Sequence, residues 1–274
     1  MRPVCNICPR HCSPEEGKYG YCRARRNEKD HIICKNYGWL TALALDPIEK
    51  KPLRRFYPGT LILSAGSYGC NLRCPFCQNH QISMAGSEAE TMFFSPESLV
   101  QKAVSLKEQG NIGLAYTYNE PLIGYEYVRD CAKLIREQGM KNVVVTNGII
   151  CSDPLSELLP YIDAMNIDLK GFTQNDYDFV RGNLETVKNS ITLASQNCHV
   201  EVTALIVPDK NDSEENMREL SKWLASLRKD IPLHVTRFFP LYEMQDQPPT
   251  PIHTIYRLAE IARENLEYVY EGNC

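Results

Sequence analysis

With 274 residues, 43% of them hydrophobic, the chain can build one α/β barrel or two average domains, and its formal charge of −4, from 30 basic and 34 acidic side chains, offers no footprint for a nucleic-acid backbone. No apolar run approaches the roughly 20 residues that span a bilayer, and Pro3, Pro9, Pro14, Cys5, Cys8 and Cys12 stand where a signal peptide would keep its apolar core. A cytoplasmic protein without nucleic-acid or membrane partners is expected, and in that reducing compartment twelve cysteines point to metal or thiol chemistry rather than disulfides.

Residues 1–58 read as a small Cys-rich metal-binding module. Cys5, Cys8, Cys12 and Cys22 offer four thiolates in one compact loop, full ligation for zinc or for a second iron–sulfur cluster, with disulfide-bonded or unligated cysteines as the competing reading. Arg23, Arg25 and Arg26 read as a solvated face, and Cys34 stands apart. Tyr37 to Leu45 is a possible strand; Pro47 and Pro52 then interrupt any helix, and Pro58-Gly59 marks the boundary.

From residue 59 to 274 short apolar runs alternate with segments of helical period. Strands are predicted near 60–66, 112–117, 142–146, 164–169, 199–207 and 233–239, with helices including Pro96 to Gln109, Leu122 to Gln138, Ser213 to Leu227 and Pro251 to Asn265. Ser95-Pro96 and Ser213 followed by two glutamates carry helix-start chemistry. Six strand–helix repeats fit a partial barrel or a doubly wound sheet, and in both the chemistry gathers at the C-terminal ends of the strands.

The first of those ends runs straight into Cys70, Cys74 and Cys77. Three thiolates at C-x3-C-x2-C spacing can each bind one iron of a cubane, leaving the fourth iron open to a substrate or cofactor. A zinc knuckle completed by a residue such as His80 is the competing reading. The pattern resembles the radical S-adenosylmethionine superfamily, in which the open iron takes the amino and carboxylate groups of S-adenosylmethionine. By that resemblance Phe76, just before the third cysteine, contacts the adenine.

Further motifs follow at successive strand ends. Tyr118-Asn119-Glu120-Pro121 sets a carboxylate before a proline that can open a helix, and the resemblance makes Glu120, helped by Asn119, the partner of the cofactor's amino group. Thr146-Asn147-Gly148 offers an amide to ribose hydroxyls, although it is also an ordinary turn. Alternation turns Asp168 and Lys170 to one face, where opposite charges are costly unless paired and used, with a structural salt bridge as the alternative. Thr203 and His234 also face inward as candidate cofactor contacts, a satisfied core histidine being the bland reading of His234.

Asp168-Leu169-Lys170 looks like the motif of activating enzymes for glycyl radical proteins. The segments Cys5 to Cys22, Ile48 to Leu53, Gly69 to Asn79, Thr117 to Pro121, Asn166 to Gly171 and His234 to Pro240 together resemble the pyruvate formate-lyase-activating-enzyme-like branch sometimes called AmmeMemoRadiSam radical proteins. The resemblance implies a partial (β/α)6 barrel of TIM type, a 4Fe-4S cluster and S-adenosylmethionine, an external electron donor of flavodoxin or ferredoxin type, and Asp168 and Lys170 beside cofactor and substrate. Arg54-Arg55-Phe56 departs from the branch pattern, and the chain stops at Cys274 where relatives tend to carry another cysteine pair. No ferredoxin-type insert follows Cys77, so a long multi-cluster wire is not expected. Three uses remain open: activation of a glycyl radical enzyme, radical modification of a small molecule or peptide, and a non-catalytic metal-binding or redox-sensing adaptor.

Overall fold

A computed structural model describes residues 2–274. In chain order its strands are β1 (Arg25–Glu28), β2 (His31–Cys34), β3 (Trp39–Leu40), β4 (Ala42–Pro47), β5 (Leu61–Gly66), β6 (Met92–Phe93), β7 (Asn111–Tyr116), β8 (Lys141–Thr146), β9 (Ala164–Asp168), β10 (His199–Ile206), β11 (Leu233–Arg237) and β12 (Val269–Gly272). The helices are α1 (His80–Ser83), α2 (Pro96–Ser105), α3 (Tyr125–Glu137), α4 (Ser152–Leu158), α5 (Gln174–Phe179), α6 (Leu184–Ser195), α7 (Glu214–Leu227) and α8 (Ile252–Arg263).

One eight-stranded sheet carries the fold, in the order β12-β11-β10-β9-β8-β7-β5-β4. All neighbours from β5 to β12 run parallel, and β4 closes the β5 edge antiparallel. This is the partial barrel, with its six predicted strands in their predicted places. The helices bury the outer face: Leu114, Val144, Ile167, Val202 and Val235 share a core with Leu99, Val128, Ile135, Ile191 and Leu258. Parallel strands are buried on both sides, which is why they read as near-continuous apolar runs rather than alternating ones.

The inner face is closed at its N-terminal end by the segment after β4. Ile48, Leu53 and Phe56 pack on Ile62, Ala115, Val143 and Ala164 of four adjacent strands. Predicted helix starts appear as caps: Ser95 Oγ accepts from the Ser98 amide at 3.2 Å, and Ser213 Oγ from the Asn216 amide at 3.2 Å. Pro121 opens a single tight turn, Pro121–Gly124, before α3 begins.

Four features differ from the sequence reading, the first being Arg25, which is buried and paired with Glu126 at 2.7 and 2.6 Å rather than solvated. Ala42–Pro47, counted within the N-terminal module, pairs with β5 and so belongs to the barrel sheet, because its register partner is supplied only by a strand further on. A seventh parallel strand, β12, adds to β11; it is short and mostly half-buried, so it carries no clear period. The β1–β2 hairpin follows the Cys-rich loop directly. Among the described residues no helix is long and apolar enough to cross a membrane.

Candidate active site at the strand ends

β5 ends at Gly66, and the loop that follows carries Cys70, Cys74 and Cys77 as free thiols. The loop is stapled from inside by Asn119, whose Oδ1 accepts from the Ser67 amide at 2.9 Å and whose Nδ2 donates to the Gly69 carbonyl at 3.0 Å. It is stapled from outside by Arg73, which donates to the Cys70 and Leu72 carbonyls at 2.8 and 2.6 Å and to the Tyr21 carbonyl of the Cys-rich module. Two donors aim at Cys70 Sγ, the Leu72 amide at 3.3 Å and Asn147 Nδ2 at 3.6 Å.

Burial pushes the Cys70 thiol well above its ordinary value, with Glu120, Cys74 and Cys77 adding to the rise. Burial likewise takes Cys74 up to about 12, against the pull of Lys170. Without metal both stay protonated, and metal loading must release those protons. No group of three or more His, Cys, Asp or Glu side chains among the described residues is arranged to hold a single metal ion. A cubane asks for less, since each thiolate binds its own iron at a separate corner. His80 is engaged elsewhere: Nδ1 lies 3.2 Å from the Cys77 carbonyl and the ring stacks on Tyr242.

Glu120 ends the loop after β7, buried beside the cysteines. Its Oε1 accepts from Thr146 Oγ1 at 2.7 Å and the Leu122 amide at 2.9 Å, and its Oε2 from the Asn147 amide at 2.8 Å. Burial raises this carboxyl to about 7, a rise that those three donors limit. A cation placed against the free lone pair of Oε2 would hold it ionised. Asn147 spends its amide nitrogen on Asn71 Oδ1 at 2.9 Å as well as on Cys70.

Asp168, at the end of β9, pairs with Lys170 Nζ at 2.8 Å. Lys170 is held well above its ordinary value: burial opposes its charge, but Asp168 and then Cys74 outweigh it. Its ammonium lies 5.9 Å from the Phe76 ring, which packs against Phe179 and Phe238. Cys70, Cys74, Cys77, Phe76, Asn119, Glu120, Asn147, Asp168 and Lys170 thus gather at one end of the sheet.

Thr203 and His234 turn to other partners. Thr203 Oγ1 donates to Asn166 Oδ1 at 2.9 Å, and Asn166 Nδ2 in turn to the Pro52 carbonyl at 2.8 Å. His234 Nε2 lies 2.6 Å from Glu201 and its ring stacks on Tyr270. Glu201, with no exposed side-chain surface, also meets His199 at 3.0 Å and the Arg54 and Arg55 amides at 3.0 and 2.7 Å. Burial alone would raise it; the two histidines and two amides overcome that and bring it down to about 2. Both residues therefore brace the segment that closes the N-terminal end of the sheet.

Cys5, Cys8, Cys12 and Cys22 line one small cavity and are all free thiols. The sequence reading missed Asn71 and Thr146, which link the cysteine loop and Glu120 to the end of β8, and the Asp46–Lys51–Tyr118 cluster, with contacts of 2.7 and 2.6 Å. Asn71 lies inside the cysteine motif and could have been questioned there; nothing local marks the others.

A parallel barrel that opens with a three-cysteine loop and faces it with a carboxylate from the next strand end defines a class of iron–sulfur enzymes, and the chain belongs to the radical SAM superfamily, which its residues 65–224 match. That family implies a 4Fe-4S cluster and S-adenosylmethionine, and the donor set above fits such a cluster. A Methanocaldococcus jannaschii protein named as uncharacterized is 42% identical over 273 residues, covering 98% of this chain and 80% of its own. The pyruvate formate-lyase-activating enzyme of Clostridium pasteurianum is 29% identical over 73% of this chain and 83% of its own. Among solved structures, Streptococcus suis SuiB bound to S-adenosylmethionine superposes with a TM-score of 0.59 at 14% identity, over 83% of this chain and 53% of that one. A pyruvate-formate lyase-activating enzyme domain from Bacteroides vulgatus gives 0.51 at 18% identity, over 59% and 99%.

Proposed function

We propose that the chain is a glycyl-radical-enzyme activase-like radical SAM enzyme, with Cys70, Cys74 and Cys77 as the cluster ligands. The observation that carries this is the placement of Glu120 and Asn147, from the next two strand ends, against a loop of three uncommitted thiols. A cluster held by Cys70, Cys74 and Cys77 would supply the single electron for reductive cleavage of S-adenosylmethionine, the source of the radical chemistry that abstracts hydrogen from the substrate.

The chain's own residues position and shield. Glu120, held by three donors, offers Oε2 to the cofactor's ammonium, and Asn119 keeps the cysteine loop in register with it. Phe76 presents its ring to the adenine, and Asn147, whose amide nitrogen is engaged by Asn71 and Cys70, keeps a lone pair of Oδ1 for a ribose hydroxyl. Asp168 and Lys170 form a paired charge at the substrate approach. Thr203 and His234 act at one remove, by holding Asn166 and Glu201. An external flavodoxin- or ferredoxin-type protein delivers the electron, and Cys5, Cys8, Cys12 and Cys22 hold a second metal.

The relative named as an activating enzyme supports the glycine loop of a partner enzyme as substrate. The test is anaerobic reconstitution with dithionite and S-adenosylmethionine. Formation of 5′-deoxyadenosine in the wild type but not in Cys74→Ala is the expected result, and its absence from the wild type would sink the enzyme reading. A stable glycyl radical signal on a candidate partner selects activation, and 5′-deoxyadenosine without one selects a small molecule or another peptide.

A further inference from the structure

The cavity formed by Cys5, Cys8, Cys12 and Cys22 backs directly onto the catalytic loop. Gly69, just before Cys70, lies against the Cys22 carbonyl so closely that a Cβ there would collide with it. Arg10 Nε donates to the Asn71 carbonyl at 2.9 Å, and the Cys151 amide donates to the Ile7 carbonyl at 2.9 Å. Arg10 stands two positions after Cys8, so its bond ties the first thiol loop to Asn71. The Asn71 side chain accepts at Oδ1 from Asn147 Nδ2, the same nitrogen that reaches Cys70 Sγ. Arg10, Asn71, Asn147 and Cys70 thus form a line of hydrogen-bonded residues from the Cys-rich loop to the catalytic thiols.

Within the first set the loop is shaped round its sulfurs. The Cys5 amide donates to the Cys12 carbonyl at 2.9 Å, and the Tyr21 amide lies 3.5 Å from Cys12 Sγ, as the Leu72 amide does at 3.3 Å from Cys70 Sγ. Hydrogen bonds to ligand sulfurs are one of the levers that set the potential of an iron–sulfur cluster. A protein substrate seated on the barrel mouth covers the open side of the catalytic site, so an electron delivered during turnover must arrive from another side. The Cys-rich module packs directly on the loop that carries Cys70, through Gly69, Arg73 and Asn71.

We infer that Cys5, Cys8, Cys12 and Cys22 hold a second iron–sulfur cluster, and that it is the port through which an electron reaches the cluster at Cys70, with Asn71 and Asn147 bridging the two. This rests on the catalytic reading above. Each transfer moves one electron and no atoms. The external one-electron donor is oxidised as the N-terminal cluster is reduced, and the N-terminal cluster is reoxidised as the catalytic one is reduced.

The test uses the full chain reconstituted anaerobically with iron and sulfide. Wild type should bind about eight irons and the variant with all four N-terminal cysteines changed to alanine about four. Reduction of the catalytic cluster, followed by its S-adenosylmethionine-sensitive paramagnetic signal, should slow by about tenfold or more in Asn71→Leu when reduced flavodoxin is the donor, with the iron count unchanged. About four irons plus one zinc in the wild type overturns the proposal, and so does an undiminished flavodoxin rate in Asn71→Leu. If the four-cysteine variant does not fold, the Asn71→Leu rate decides. A wild-type signal indifferent to S-adenosylmethionine would be failure of the catalytic reading, which the iron count reads separately.

Discussion

The Cα of Gly69 faces the carbonyl oxygen of Cys22, at φ +88°, with no room between them for a methyl group. With the bonds from Arg73 to the Tyr21 carbonyl and from Arg10 to the Asn71 carbonyl, this approach holds the Cys-rich module against the loop that carries Cys70. A Gly69→Ala change meets both a left-handed backbone and a backbone collision, so it should cost about 1–3 kcal/mol. Thermal melting should fall by several degrees, and the iron retained after gel filtration should drop with it. A variant that melts and holds iron like the wild type would show that the contact is slack.

Glu120 is surrounded by donors only: one hydroxyl and two amides. Glu120→Gln brings an amide NH2 that must face at least one of them, leaving an opposed pair worth about 1–3 kcal/mol. The variant should keep its cluster yet bind S-adenosylmethionine more weakly, as read by titration of the cluster's paramagnetic signal. Unchanged affinity would remove Glu120 from the cofactor site.

Glu201 is a pH-dependent brace of the segment that closes the sheet. Its carboxyl lies at about 2 in the folded chain against an ordinary 4.5. The stabilisation is fully present above the unfolded-state value and is lost as pH falls from there through about 2. A shift of that size corresponds to about 3 kcal/mol. Glu201→Gln should therefore lower the urea midpoint at about pH 7, and the gap to wild type should narrow toward about pH 3. A gap that stays constant with pH would contradict the assignment.

Lys170 places a positive charge beside Cys74 and Cys77. Reduction adds negative charge to a cluster, so a nearby cation favours the reduced form. Lys170→Met should shift the potential downward by on the order of 50 mV, a roughly tenfold change in the reduction equilibrium. Redox titration of the paramagnetic signal measures it, and no shift would place Lys170 outside the cluster's field.

The spacing of Cys70, Cys74 and Cys77, their place after the first strand, and the alternation of six strands with helices were all legible in the sequence, because each is a local pattern within one loop or one period. The same holds for Glu120, Asn147 and Asp168, which stand at successive strand ends. What only the tertiary structure decided are approaches between distant parts of the chain. The Arg54 amide and Glu201 are 147 positions apart, Asn71 and Asn147 76, and Ala42–Pro47 finds its partner in β5 only once the sheet forms. Strand alternation could aim His234 inward, but the buried carboxylate that engages it comes from the neighbouring strand. A polar side chain's partner is set by which atoms burial brings within about 3 Å, and no period in a sequence encodes that.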